Sequence, residues 1–80
     1  MSVVADLEQF ILEITQGTGV TAVAADDDLL ANGIIDSHGL MELVGFIEQR
    51  YGISVSDDDL LPENFQSLSH IEAFVERKRG

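Results

Sequence analysis

Residues 36–52, DSHGLMELVGFIEQRYG, contain the pattern that decides the fold of this chain. Their apolar residues recur every three or four positions, which is the spacing of one face of an α-helix. At about 100° per residue, five of them share one side of the helical wheel and form the predicted core stripe: Leu40, Leu43, Val44, Ile47 and Tyr51. Asp36 is a plausible N-cap, so we expect the helix to begin at Asp36 or Ser37 and to end at Gly52.

Two further stretches have helical spacing. The first ends at the turn residues Gly17-Thr18-Gly19 and has a stripe of four residues, with Val3 and Phe10 beside it: Val4, Leu7, Ile11 and Ile14. The last begins near Ser67 or Ser69, of which Ser69 could form a capping box with Glu72. Its stripe is Leu68, Ile71, Phe74 and Val75.

Between the first two helices, residues 17–35 form a long connection. Loops of this length are uncommon in small domains and are often functional. Six apolar residues within it need to be buried, which predicts a packed loop: Val20, Val23, Leu29, Leu30, Ile34 and Ile35. Residues 62–65, Pro-Glu-Asn-Phe, predict one short helical turn with proline in first position. The expected fold is all-α, a small bundle of three main helices plus one short helix, in a single domain over residues 1–80.

The charge of the chain restricts its partners. There are 15 Asp and Glu against 4 Lys and Arg, for a formal net charge of −11, and three of the basic residues are Arg77, Lys78 and Arg79. Such a surface repels nucleic acid and anionic membranes, so neither is expected as a partner. The acidity either keeps a small domain soluble or attracts basic partner surfaces. The chain has no cysteine, no apolar run long enough to span a bilayer and no signal peptide, so we expect a cytoplasmic monomer.

The second helix also has residues that its core stripe does not explain. We call them the outward strip: Ser37, His38, Met41, Glu42, Gly45 and Glu48. An exposed methionine beside a glycine favours a protein-docking surface, although an incidental exposed methionine would give the same pattern. An unmodified helical interaction module that uses this strip therefore remains an open reading.

Residue spacing excludes a hydrolytic triad and an EF-hand calcium loop. Asp36, Ser37 and His38 are the residue types of a hydrolytic triad, but consecutive helical residues point about 100° apart and cannot form the relay. A calcium loop of the EF-hand type starting at Asp28 would place Leu30 and Gly39 where ligands are required. We therefore expect no catalytic residue and no specific metal site. Weak, nonspecific binding of divalent ions by the Asp runs at 26–28 and 57–59 is the alternative.

The run Gly33-Ile34-Ile35-Asp36-Ser37-His38-Gly39-Leu40-Met41-Glu42-Leu43-Val44 resembles the phosphopantetheine attachment signature of the acyl carrier protein family. The likeness continues through residues 46–53 and 57–65 and covers nearly the whole chain. The resemblance implies that Ser37 is esterified with 4′-phosphopantetheine, taken from coenzyme A by a phosphopantetheinyl transferase that also recognises Asp36. The thiol of this arm would carry an acyl or aminoacyl group as a thioester for an acyl-loading or adenylating enzyme and for downstream biosynthetic enzymes. The chain itself would be a non-catalytic carrier.

Physical chemistry agrees with attachment at Ser37. The first residues of a helix have backbone N–H groups without intrahelical acceptors and lie at the positive end of the helix dipole. An anionic phosphodiester is stabilised at such a position.

The details of the signature indicate a subtype. The residue after the serine is usually Leu or Met in the family, and here it is His38. The Gly-Ile-Ile-Asp-Ser opening and the Pro-Glu-Asn-Phe stretch look more like free-standing carriers of polyketide or nonribosomal peptide pathways. A carrier for fatty acid synthesis is the alternative.

Overall fold

The computed structural model describes residues 3–79 and contains four α-helices and one 3-10 turn. The helices are α1, Val3–Ile14; α2, Ser37–Tyr51; α3, Pro62–Phe65; and α4, Leu68–Arg79, with the 3-10 turn at Asp57–Asp59. Over the described residues there is no strand, so the predicted all-α bundle is confirmed. None of these helices is long and apolar enough to cross a bilayer.

α2 has the bounds that its capping residues predict. It begins at Ser37, directly after the N-cap Asp36, and ends at Gly52, whose φ of 67° is the left-handed conformation that glycine adopts without strain. Of the predicted stripe, the three central residues Leu43, Val44 and Ile47 are buried. The two end residues, Leu40 and Tyr51, are half-buried and pack against the core.

α1 buries the two central residues of the predicted stripe, Leu7 and Ile11, but differs from the prediction at both ends of that stripe. Val3, Leu7 and Ile11 are buried, whereas Val4 and Ile14 are half-buried against the core. The buried face of α1 continues into Thr15, which is only 6% exposed because its hydroxyl donates a hydrogen bond to the Ile11 carbonyl at 2.7 Å. A threonine that bonds back in this way can occupy a position that the pattern reserves for apolar residues.

The long connection is packed, but the prediction that Leu30 is buried is wrong. Val23, Leu29 and Ile35 are buried, while Leu30 is exposed. Leu29 is fixed by its backbone, since its N–H donates to the Gln66 carbonyl at 2.8 Å and its carbonyl accepts from two later amides. The neighbouring Leu30 lies in the turn and is directed away from the core.

α4 contacts each of the other three helices and closes the bundle. It begins at Leu68, and its cap is Ser67, whose hydroxyl accepts from the His70 backbone N–H at 3.3 Å. Ser69 lies inside the helix, so the capping box with Glu72 is not formed. The core joins all four helices to the connection between α1 and α2 through fourteen residues: Val3, Leu7, Ile11, Val23, Leu29, Ile35, Leu43, Val44, Ile47, Phe65, Leu68, Ile71, Phe74 and Val75.

Candidate functional site

Ser37 is the first residue of α2, and its side chain is exposed. Asp36 before it is extended, with φ −106° and ψ −171°, and its carboxylate accepts a hydrogen bond from the Gly39 N–H at 2.8 Å. That bond, with weaker help from the N–H groups of Asp36 itself and of His38, holds the pKa of the Asp36 carboxyl below its usual value. Asp36 is therefore an ionised cap at physiological pH, and Ser37 lies at the positive end of the helix.

The backbone before Ser37 is anchored to the connection. Gly33 has a φ of 70° and turns the chain, after which the N–H groups of Ile34 and Ile35 both donate to the Leu29 carbonyl, at 2.9 and 3.1 Å. The side chain of Ile35 is buried in the core. The start of α2 is thus fixed by tertiary contacts as well as by its own cap.

His38 and Glu42 form a pair on the surface of α2. Nδ1 of His38 lies 3.1 Å from a carboxylate oxygen of Glu42, one helical turn later. The side chains are 83% and 41% exposed, so the pair is weak as a stabilising contact but gives both side chains a preferred position.

Members of the outward strip differ in their surroundings. Met41 is 54% exposed, and a side-chain carbon added at Gly45 would meet no atom within 4 Å. Glu48 is half-buried, and its carboxylate accepts from the Val55 N–H at 2.8 Å. This glutamate therefore holds the segment after α2 in addition to lying on the strip.

A cleft of about 280 Å³ opens beside Ser37, between the end of α1 and the start of α2. Its α2 wall contains the two neighbours of Ser37, Asp36 and His38, together with Gly39 and Glu42. The opposite wall and floor are formed by residues 14, 15 and 18 and by residues 33–35. The sequence did not predict this cleft, because its walls are far apart along the chain.

The geometry offers no hydrolytic relay at Ser37. The Asp36 carboxylate is bonded to the Gly39 N–H, and the His38 ring is paired with Glu42. A serine–histidine contact elsewhere in the fold joins the Ser67 hydroxyl to Nδ1 of His70 at 2.6 Å, but Ser67 is 2% exposed and caps α4. Within residues 3–79 there is no group of three or more acidic or histidine residues that could hold a metal ion.

Comparison with known proteins identifies the family. A family model described as the phosphopantetheine attachment site matches residues 7–75. The chain therefore belongs to the phosphopantetheine-binding carrier proteins, as the resemblance of its α2 signature implied. Their prosthetic group is covalent 4′-phosphopantetheine, and such carriers interact with a phosphopantetheinyl transferase and with biosynthetic enzymes.

One solved structure with the same fold is described as the crystal structure of an FAD-dependent dehydrogenase. It superposes with a TM-score of 0.74 and 26% sequence identity, over 86% of this chain and 97% of that chain. No relative was found among curated protein sequences.

Proposed function

We infer that Ser37 carries the 4′-phosphopantetheine arm and that this chain tethers an acyl or aminoacyl intermediate on it. The observation that supports this most directly is the position of Ser37, an exposed hydroxyl in the first turn of α2 within the family match. A phosphodiester fits there, because the backbone N–H groups and the dipole of the helix start stabilise an anion. The terminal thiol of the arm supplies the sulfur that this cysteine-free chain lacks.

Each residue at the attachment position has a separate role in the proposal. Ser37 provides the hydroxyl that the transferase modifies. Asp36 fixes the first turn through Gly39 and is part of the surface that the transferase recognises. Neither residue is proposed to catalyse a reaction, since their partners in the fold leave no relay.

Intact-mass measurement after incubation with coenzyme A and a promiscuous phosphopantetheinyl transferase tests attachment. The wild type should gain the mass of one phosphopantetheine group, and Ser37→Ala should gain nothing. Ser69→Ala is the matched control, because Ser69 is also an exposed serine in the first turn of a helix. It should be modified like the wild type. An equal gain on Ser37→Ala, or no gain on the wild type, would contradict the proposal.

The chain is proposed to act as a carrier and not as a dehydrogenase, although it shares its fold with a chain described by that name. Two clefts among its described residues have volumes of about 190 and 280 Å³. Sites for drug-sized ligands occupy about 300–1,000 Å³, and FAD is larger than most such ligands. A flavin titration monitored by fluorescence should therefore detect no binding to the isolated chain. The named relative supports a flavin-dependent dehydrogenase as one candidate partner that acts on the tethered group.

The pathway is proposed to be of polyketide or nonribosomal peptide type, with a cytoplasmic, monomeric carrier. His38 follows the attachment serine and its side chain is 83% exposed, so it presents a polar side chain beside the arm where the family usually has Leu or Met. Glu48 is engaged by the Val55 N–H and is less free to meet a basic partner. Loading of the modified protein by adenylating enzymes and acyltransferases of each pathway tests this. Acceptance by fatty acid synthase enzymes alone would favour the alternative.

The outward strip is proposed as the surface on which partner enzymes dock. Met41 supports this because more than half of its side chain is exposed, although it lies on a helix whose other apolar residues pack inward. Met41→Glu should weaken binding of the transferase, whereas Met41→Leu should retain it. Binding of both variants at wild-type strength would contradict this docking surface.

A further inference from the structure

The cleft beside Ser37 lies between the end of α1 and the start of α2. We propose that it binds the pantoyl part of the arm carried by the same chain, which is the segment next to the phosphate. This inference rests on the proposed attachment at Ser37 and adds a binding site for the arm.

The first argument is reach. Asp36 and His38, the residues on either side of Ser37, both line the cleft. In the pantoyl segment, the carbon that carries two methyl groups is separated from Ser37 Oγ only by the phosphorus, one oxygen and one methylene. That carbon is therefore only a few bonds from a residue whose two chain neighbours line the cleft.

The second argument is apolar complementarity. Ile14 and Ile34 line the cleft, and both are half-buried, so each packs on the core with one side and leaves the other accessible. The two methyl groups of the pantoyl segment are the apolar part of the arm closest to its attachment. Their contact with these isoleucines would remove apolar surface from water on both partners.

The third argument is hydrogen bonding. The hydroxyl of Thr15 donates to the Ile11 carbonyl at 2.7 Å, and that of Thr18 donates to the Thr15 carbonyl at 2.6 Å. Because both protons are engaged, neither hydroxyl can donate to a ligand, and the hydroxyl of the exposed Thr18 can offer a lone pair. The Glu42 carboxylate on the other wall is also an acceptor. The pantoyl segment brings the matching donors, a hydroxyl and then an amide N–H.

The location has a consequence for docking. The cleft includes His38, Gly39 and Glu42 but not Met41, so it lies on the other flank of α2 from that exposed methionine. An arm held there lies against two members of the outward strip, His38 and Glu42, and leaves Met41 and Gly45 uncovered for a partner enzyme. The His38–Glu42 pair forms the edge over which the arm would leave the cleft when a partner withdraws it.

NMR of the modified protein tests the cleft. With modification at Ser37 first verified by mass, nuclear Overhauser contacts should connect the pantoyl methyl groups to the methyls of Ile14 and Ile34. Amide shifts between the unmodified and modified forms should change at Thr18 and at residues 33–35. Thr18→Val, which removes a lone-pair acceptor while keeping the shape, should weaken these contacts, and Met41→Ala on the other flank should leave them unchanged.

The outcomes separate the two proposals. Modification at Ser37 with no pantoyl contacts to the isoleucines, or with shift changes confined to Met41 and Gly45, would overturn the cleft and leave the carrier function intact. Absence of any modification on the wild type would overturn the attachment proposal, and the cleft proposal with it. The wild-type contacts decide the question even if a variant fails to fold.

Discussion

The carboxylate of Asp36 accepts a hydrogen bond from the backbone N–H of Gly39 at 2.8 Å and so closes the first turn of α2 around Ser37. In the unmodified chain this hydrogen bond holds the pKa of the Asp36 carboxyl below its usual value. The Asp36 cap therefore fixes the backbone geometry at the start of α2. The other backbone N–H groups of the first turn can stabilise the charge of a phosphate on Ser37.

Removal of this cap should weaken the start of α2. Asp36→Ala leaves the Gly39 N–H without its acceptor, so the thermal midpoint should fall and hydrogen exchange at Gly39 should accelerate. Asp36→Asn retains a side-chain acceptor, so its thermal midpoint should fall less than that of Asp36→Ala. A midpoint for Asp36→Ala equal to that of the wild type would contradict the capping role.

The pH dependence of this cap has a definite sign. The folded-state pKa of Asp36 lies below the ordinary value of 3.8, mainly because the Gly39 N–H bonds the charged form. Its stabilising effect is therefore fully present above the unfolded-state pKa and is lost as the pH falls through the lowered value. The wild type and Asp36→Ala should differ in thermal midpoint at neutral pH and converge in strong acid. A difference that persists unchanged into strong acid would be inconsistent with this linkage.

Tyr51 gives a prediction at the alkaline end. Burial raises the pKa of the Tyr51 phenol to about 12, helped by the hydrogen bond it donates to Asp6 at 3.1 Å. Since the folded-state pKa is raised, this stabilisation is present below pH 10 and is lost as the pH rises towards 12. The chain has one tyrosine and no tryptophan, so tyrosinate absorbance reports this group alone. Asp6→Asn should move the titration towards the ordinary pKa, and a wild-type midpoint near 10 would refute the assignment.

Two positions on α2 should respond differently to truncation. Val44 is 6% exposed and Met41 is 54% exposed. Val44→Ala should lower the free energy of unfolding by about 1–3 kcal/mol, because it leaves a cavity in the core. Met41→Ala should change the same quantity by less than about 0.5 kcal/mol. Denaturant unfolding of both variants measures the difference, and equal costs would contradict the orientation of α2.

Two glutamates accept hydrogen bonds from backbone N–H groups in loops. Replacement of either should affect only the loop that it contacts. Glu8 accepts from the Val23 N–H at 2.9 Å, and Glu48 accepts from the Val55 N–H at 2.8 Å. Glu8→Ala should accelerate hydrogen exchange at Val23, and Glu48→Ala should do so at Val55. Glu13→Ala is the matched control, since it removes the same charge from the exposed face of α1. Faster hydrogen exchange at Val23 in Glu13→Ala would contradict the prediction, because it would mean that the change in net charge and not the lost hydrogen bond accelerates exchange.

Features that depend on neighbouring residues could be predicted from the sequence. The start of α2 at Ser37 and its end at Gly52 follow from an aspartate cap and a left-handed glycine, which act over one helical turn. The exposure of Leu30 could not be predicted, because it depends on the tertiary bond between the Leu29 N–H and Gln66. Phe10 stacks on Phe46, with ring centroids 4.3 Å apart. The sequence could not predict this contact, because neither residue lies on the central stripe of its helix.

The candidate site likewise has residues that the sequence could predict and a cleft that it could not. Ser37 and Asp36 could be named from a continuous motif, and their arrangement depends on local capping. The cleft beside them required the fold, since the end of α1 and the start of α2 are separated by the long connection. The hydrogen bond from the Val55 N–H to Glu48 could not be predicted either. The helical wheel places Glu48 on the outward strip but does not show which loop packs against it.

Fragmentation mass spectrometry locates the arm on an individual serine. The chain has six serines: Ser2, Ser37, Ser54, Ser56, Ser67 and Ser69. After modification by a phosphopantetheinyl transferase, peptide fragmentation should locate the whole added mass on Ser37 and leave the other five serines unmodified. Location of the group on any other serine, or no modified peptide at all, would contradict the account.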